Sequence, residues 1–123
     1  LEVPIMKKEQ RQVESLVELL KEQTEIERQI AVLPVGYISV KVISGHTYNY
    51  RQWREGSKII SQYVPETMLN SVKRKIAARK EQEVTLKAVK KDIKSVTKKV
   101  LKAGLLTEEE IAELKEKVAA EAE

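Results

Sequence analysis

Apolar residues recur along the first third of the chain at the spacing of a helix. Between residues 7 and 31 they follow heptad steps, and neighbouring valines and leucines widen this seam into a broader stripe. The seam positions are Leu16, Leu19, Gln23, Ile26 and Ile30. Pro34 and Gly36 end the pattern, because proline lacks an N–H and glycine readily leaves helical dihedrals. The sequence therefore predicts a helix over residues 7–31.

The period changes to that of strands over residues 37–64. Three β-branched or aromatic runs, at 37–43, 47–54 and 58–64, are separated by the short turn segments 44–46 and 55–57. Short turns between successive strands are typical of an antiparallel meander. A sheet of three strands needs cover on one face. The flanking helices are expected to supply it, with Trp53 as the main core residue.

A long helix is predicted over 65–103, and a short acidic one over 107–121. The second half of the long helix has a clean heptad seam, but the first half is out of phase, which indicates a stutter. The seam residues are Leu86, Val89, Ile93, Val96, Val100 and Ala103. Gly104 is predicted to cap this helix, and Thr107 with Glu110 forms a capping box for the next.

These elements predict an α+β fold in one domain, residues 1–123. The two long helices are expected to form a helical hairpin with the small sheet at one end, followed by the acidic C-terminal helix. The alternative is that the heptad seams pair between two chains as a homodimer coiled coil. Met6, just before Lys7, is a candidate natural start, with residues 1–5 then an addition.

Charge is distributed unevenly along the chain. Residues 41–103 contain 16 of the 23 Lys and Arg but only 5 of the 19 Asp and Glu, while both ends are net acidic. A polyanion responds to local charge density, so this basic middle predicts an anionic partner. Without cysteine the chain has no disulfide or thiolate metal site. No apolar run has membrane-spanning length. We expect a cytoplasmic protein that does not insert into membranes.

The basic residues of the middle segment are candidate nucleic-acid contacts. On the long helix, several recur at helical spacing beside the seam, where like charges repel one another unless an anion binds. The other interpretation is an ordinary solvated helix face. The helical candidates are Lys73, Arg74, Arg79, Lys80, Lys87, Lys91, Lys94 and Lys98. On the sheet, aromatic residues interleaved with cations suit stacking on bases and contact with phosphate. The sheet candidates are Lys41, Asn49, Arg51, Arg54 and Lys58.

Enzymatic chemistry is not expected. His46, the one histidine, falls in a predicted turn, and the chain has neither a nucleophile elbow nor a glycine-rich phosphate loop. A lone histidine without cysteine is a poor metal site. We therefore predict no catalytic residues, no metal and no cofactor.

The sheet region resembles a short, functionally uncharacterised prokaryotic domain found in bacterial, archaeal and mobile-element proteins. The resemblance covers about residues 33–80 and is carried by LPVGYI at 33–38, YNYRQWREG at 48–56, and Lys58 with Tyr63 before a charged helix. The order of strands and helix is also similar in layout to the three-stranded N-terminal DNA-binding domain of tyrosine integrases. Neither resemblance implies an activity by itself.

The leading hypothesis is a non-enzymatic nucleic-acid-binding accessory protein of phage or mobile-element type, with DNA favoured over RNA. The acidic C-terminal helix would then shield the basic helix in the absence of nucleic acid. The alternative is a protein–protein interaction module, an inhibitor or assembly factor whose basic stripe binds an acidic protein surface.

Overall fold

The computed structural model describes residues 8–122 and confirms the α+β class. Three helices and three strands follow one another in the predicted order. Their bounds are α1 Lys8–Ala31, β1 Tyr37–Ile43, β2 His46–Glu55, β3 Lys58–Val64, α2 Glu66–Lys102 and α3 Glu108–Glu121. Met6, the candidate natural start, and Lys7, the predicted start of the first helix, lie outside the described residues. His46 and Glu55 are not in the predicted turns, since they begin and end β2 opposite Ile43 and Lys58.

Contacts divide the chain into two units. The helical unit combines the chain up to Gln29 with the chain from Val84 onward, and the sheet unit runs from Ile30 to Glu83. The prediction of one domain concerns the whole chain and stays a prediction. Each unit has its own buried residues and is described separately below.

The helical unit buries apolar residues from all three helices. They are Leu16, Leu20 and Ile26 of α1, Val89, Ile93 and Val100 of α2, and Ile111 and Val118 of α3. Val13 and Val17 line one hollow with Glu110 and Leu114. Further along α1, Lys21 and Thr24 line another hollow with Val118 and Glu121, so α1 and α3 run in the same direction. Most positions of the heptad seams are therefore buried or half-buried within one chain, whereas Ala103 is exposed.

Short, well-defined signals end α2 and begin α3. Gly104 has a φ of 70°, and the amides of Gly104 and Leu105 donate to the carbonyls of Leu101 and Val100. This is a Schellman motif, and it satisfies carbonyls that the helix leaves unpaired. Thr107 accepts from the amide of Glu110, while the Glu110 side chain accepts from the amide of Thr107. Both predicted helix-end signals are confirmed.

Burial along α2 departs from the predicted heptad at one position, Ile76. Starting from the buried Val89, the line of covered residues runs back through Leu86, Gln82 and Arg79 in heptad steps. It then passes to Ile76 and Val72, although the heptad would reach the exposed Lys75. Val72, three residues before Lys75, lies on the heptad again, so the covered face shifts at Ile76 alone and the burial shows no lasting change of phase.

The sheet is an antiparallel meander of order β1-β2-β3. Ser44 and Gly45, with φ of 51° and 80°, make the first two-residue turn, since type I′ turns require positive φ at both positions. Gly56, with φ of 62°, and Ser57 make the second turn. Both turns match the right-handed twist of the strands they join. They fix the register, with Ile43 opposite His46 and Glu55 opposite Lys58.

The sheet has less cover than the sequence predicts. Val64 is its only fully buried residue among those the structure describes, and Trp53 is half-buried rather than part of the core. The Arg51 guanidinium lies 3.8 Å from the centre of the Trp53 ring, and the indole N–H donates to Glu55. Side chains of its own strand therefore cover Trp53. The buried residues of this unit are Ile30, Val64 and Ile76.

Candidate nucleic-acid interface

Strand register sorts the sheet residues onto two faces, because directly opposed residues share a face and successive residues alternate. Tyr50 lies opposite Ser39 on one side and Tyr63 on the other, so these three share a face. We call this face the tyrosine face. It comprises Tyr37, Ser39, Lys41, Ile43, His46, Tyr48, Tyr50, Gln52, Arg54, Ile59, Ser61 and Tyr63. The other strand residues form the opposite face.

Four tyrosines occupy the tyrosine face, and three of them pack together. The ring centre of Tyr63 lies 5.9 Å from that of Tyr50, in an edge-on arrangement, and 6.4 Å from that of Tyr48. Tyr48 and Tyr50 are half-buried, whereas Tyr37 and Tyr63 are 51% and 54% exposed. Such aromatic pairs hold rings in defined orientations. The cluster therefore presents ordered aromatic surface to solvent.

The charge of the tyrosine face has one sign. Lys41 and Arg54 are both exposed, and the Lys41 ammonium lies 4.9 Å from the centre of the Tyr50 ring. None of the strand positions on this face is acidic. Glu66 lines a hollow of about 230 Å³ beside Tyr48 and Tyr63. A cation held over an aromatic ring is pre-oriented for a nearby anion.

The opposite face takes the other three sheet candidates. Lys58 is exposed and lies opposite Glu55, while Asn49 is half-buried. Arg51 donates to the carbonyl of Val35 and to Gln62 Oε1, in addition to stacking on Trp53. The five predicted sheet contacts thus divide between two faces, and Arg51 is engaged in contacts within the sheet unit.

The candidates on the first half of α2 also differ in their surroundings. Lys73, Arg74 and Lys80 are exposed. Arg79 Nη1 donates to the carbonyls of Ile30 and Leu33, at 2.9 and 2.7 Å. Its Nε donates to Glu83. Arg79 therefore satisfies carbonyls at the C-terminal end of α1 and is the one helical candidate that points inward.

The second half of α2 carries a lysine stripe in the helical unit, defined as Lys87, Lys91, Lys94 and Lys98. All four are exposed, and their spacing places them on one side of the helix over about 16 Å. Asp92 lies on another side, where it lines a hollow of about 710 Å³ with Glu14 and Glu18. The stripe itself is therefore free of intervening acidic residues.

The nucleic-acid contacts predicted from the sequence did not include the tyrosines. Their alternation along β2 was visible, but only the register of β1 and β3 brings Tyr37 and Tyr63 onto the face of Tyr48 and Tyr50. In residues 8–122 no three His, Cys, Asp or Glu side chains are grouped to hold a metal ion. None of the described helices is long and apolar enough to cross a membrane.

Comparison with known proteins identifies a family but no activity. No curated protein and no solved structure gives a significant match to this chain. One family model matches residues 6–74, which is more than half of the 123 residues. The matched region contains the whole of α1, the whole sheet with its tyrosine face, and the start of α2. The chain therefore belongs to the DUF6788 family, described as a domain of unknown function.

Proposed function

We propose that this protein is a non-enzymatic nucleic-acid-binding accessory protein, of phage or mobile-element type, that favours DNA over RNA. The observation that carries the proposal is the tyrosine face, an open sheet surface that combines ordered aromatic rings with cations and lacks acidic strand residues. Rings stack on bases, and cations beside them neutralise phosphates, so the two residue types serve one ligand.

The openness of the tyrosine face supports this assignment. A three-stranded sheet normally gains stability by burying an apolar face, yet Tyr37 and Tyr63 stay half exposed. Exposed apolar surface rimmed by polar groups marks an interaction site. The layout analogy to the DNA-binding domain of tyrosine integrases agrees with a sheet that meets nucleic acid, and stays an analogy.

The lysine stripe supports the same partner independently. Four like charges at helical spacing destabilise a helix by mutual repulsion, and phosphates relieve that repulsion. Release of counterions from nucleic acid supplies most of the affinity of such a surface. We propose that the lysine stripe and the tyrosine face are two separate contact surfaces. Variants of one surface can be tested without changing the other.

Fluorescence anisotropy with labelled duplex DNA, single-stranded DNA and structured RNA, across a salt series, tests the proposal. Affinity should fall linearly in log–log form, with a slope of about −0.9 for each phosphate contact on duplex DNA. Absence of binding at low salt to all three ligands would overturn the proposal.

Charge-matched variants assign the surface. Lys41→Gln should weaken binding and reduce the magnitude of the salt slope by about one. Lys58→Gln, on the opposite face of the same sheet, serves as the matched control and should leave both unchanged. Lys94→Gln in the lysine stripe, compared with Lys115→Gln on α3, makes the same test in the helical unit. Equal effects of Lys41 and Lys58 would contradict the assignment to the tyrosine face.

A protein–protein interaction module is the second candidate. Val40 and Val42 on the opposite face are 59% and 69% exposed, and phosphates do not recognise such residues. Under this alternative an acidic protein would bind the basic stripe, with an apolar centre that makes the affinity less dependent on salt. A shallow salt slope together with a large effect of Val42→Ser would favour it.

A further inference from the structure

The outer edge of β1 is open to pairing. The sheet order makes β1 an edge strand, and its inner side is taken by β2. In a two-residue hairpin the closing pair, here Ile43 and His46, exchanges both hydrogen bonds, and bonded pairs then alternate along the ladder. Ile38, Val40 and Val42 therefore direct their amide and carbonyl groups away from β2, toward the open edge.

The β1 edge lacks most of the features that prevent an edge strand from pairing with another strand. Proteins blunt exposed edges with proline, bulges, short strands or several charges. The seven residues of β1 contain no proline, pair continuously with β2, and include one charged residue, Lys41. The side chains of Val40 and Val42 are mostly exposed on the opposite face. The edge thus offers both backbone hydrogen bonds and β-branched side chains to an incoming strand.

We propose that β1 pairs with β1 of a second copy of this chain, antiparallel and centred on Val40, to make a six-stranded sheet. This register opposes Val40 to Val40 of the second copy and Ile38 to Val42, so β-branched residues meet one another on the opposite face. On the tyrosine face it opposes Ser39 to Lys41. All seven residues of β1 take part, and no like charges meet.

Other registers fit less well. Centring the pair on Lys41 would place two ammonium groups directly opposite each other, which is destabilising. Centring it on Ser39 would leave Val42 and Ile43 without a strand residue to oppose. The β3 edge is also poorer, since pairing about Ser61 would oppose Lys58 to Val64, a buried residue. The pattern of β1 alone is self-complementary over its whole length.

The symmetry of this pairing has a geometric consequence. A two-fold axis through the Val40 pair is perpendicular to the sheet, so the same face of each copy points to the same side. The two tyrosine faces would then form one continuous surface. The proposal does not depend on what that surface binds.

A cysteine cross-link tests the register directly, because the chain contains no natural cysteine. Residues opposed in a hydrogen-bonded antiparallel pair have Cα atoms about 5.5 Å apart, within the range that a disulfide spans. Val40→Cys in the full chain should form a disulfide-linked dimer on mild oxidation. Ile59→Cys, equally exposed but on the other edge strand, is the matched control. If Val40→Cys cross-links no faster than Ile59→Cys, the proposed register is wrong.

A measurement without cross-linking tests the dimer itself. Sedimentation velocity of the unmodified chain over a concentration series should show a monomer–dimer equilibrium. Val40→Lys should weaken dimerisation by at least roughly tenfold, because two ammonium groups would then be opposed at the axis. Ile59→Lys should behave like the unmodified protein. Unchanged helical circular dichroism would confirm that Val40→Lys is folded.

The contrary outcomes are distinct. A protein that remains monomeric up to its solubility limit overturns the proposal. A dimer that survives Val40→Lys and dissociates with Ile59→Lys overturns it as well, and assigns the contact to β3. Nucleic-acid binding measured in parallel is independent of both results, since a monomer also has a complete tyrosine face.

Discussion

At the scale of single residues, Arg79 has a structural role that its residue type does not indicate. In the sequence it is one of many cations in a basic helix, and its residue type alone does not separate it from Lys80. In the structure its guanidinium bridges the carbonyls of Ile30 and Leu33, while Lys80 is exposed. The backward continuation of the α2 heptad does reach Arg79, so the sequence contained a signal that this position faces inward.

Replacing Arg79 with methionine should destabilise the sheet unit by about 2–3 kcal/mol, because part-buried carbonyls lose a charged donor. Arg79→Lys should recover only part of this loss, since one ammonium lacks the fork geometry of a guanidinium. Urea denaturation followed by circular dichroism measures the difference. Lys80→Met, an exposed neighbour, should change stability by less than about 0.5 kcal/mol. Equal effects at both positions would contradict the capping role.

Gly36 is a second residue whose role depends on close approach. Its φ is 113°, and a Cβ added there would lie 2.1 Å from the carbonyl oxygen of Gln52. Gly36→Ala should therefore cost on the order of 3 kcal/mol, combining a strained backbone with a clash. Gly45→Ala isolates the backbone term, because Gly45 also has positive φ but no atom within 4 Å of its Cβ position. That control should cost about 1–2 kcal/mol. Thermal unfolding of both variants checks the order, and a smaller loss at Gly36 would contradict it.

At the scale of elements, local signals determined nearly every boundary. Glycines, prolines and the capping box depend on neighbours within a few residues, so they act the same way in a sequence as in a fold. The strand bounds 37–43 and 58–64 and the start of α3 after Thr107 followed from such signals. His46 and Glu55 are the exceptions, since both were predicted in turns, but each turn has only two residues and both side chains belong to β2.

Thr107→Ala should destabilise the helical unit by about 1 kcal/mol, because the amide of Glu110 loses its acceptor. Glu110→Gln should be milder, since an amide oxygen can still accept from the amide of Thr107. Denaturant titration with both variants measures the difference. A loss at Thr107 no larger than that at Glu110 would contradict the capping geometry.

For the molecule as a whole, α3 contributes both negative charge and buried apolar side chains. The sequence suggests that this acidic helix shields the basic helix and could be removed to test the idea. Ile111 and Val118 are only 4% and 5% exposed, so α3 is part of the core of the helical unit. Its deletion would change stability as well as charge, which makes substitution the better experiment.

Deletion of residues 107–123 should lower the free energy of unfolding by several kcal/mol, since burial of each large aliphatic side chain contributes about 1.5–3 kcal/mol. Calorimetry would show this as a lower Tm, and circular dichroism would show loss of helix beyond α3. Glu113→Gln, Glu116→Gln and Glu121→Gln together replace exposed carboxylates and should keep the Tm within a few degrees. If the acidic helix shields the basic one, that triple variant binds DNA more tightly. Unchanged affinity would contradict the shielding.

The sequence by itself determined the order and type of the elements, the helix ends and the uneven charge. These follow from periodicity, turn residues and composition, which are local properties. Only the tertiary structure decided which cations are available and how much of the sheet is covered. Arg79 and Arg51 differ from Lys80 and Lys41 through partners 11 to 49 residues away. The tyrosine face likewise exists because register brings three strands together, and register depends on contacts that no single segment contains.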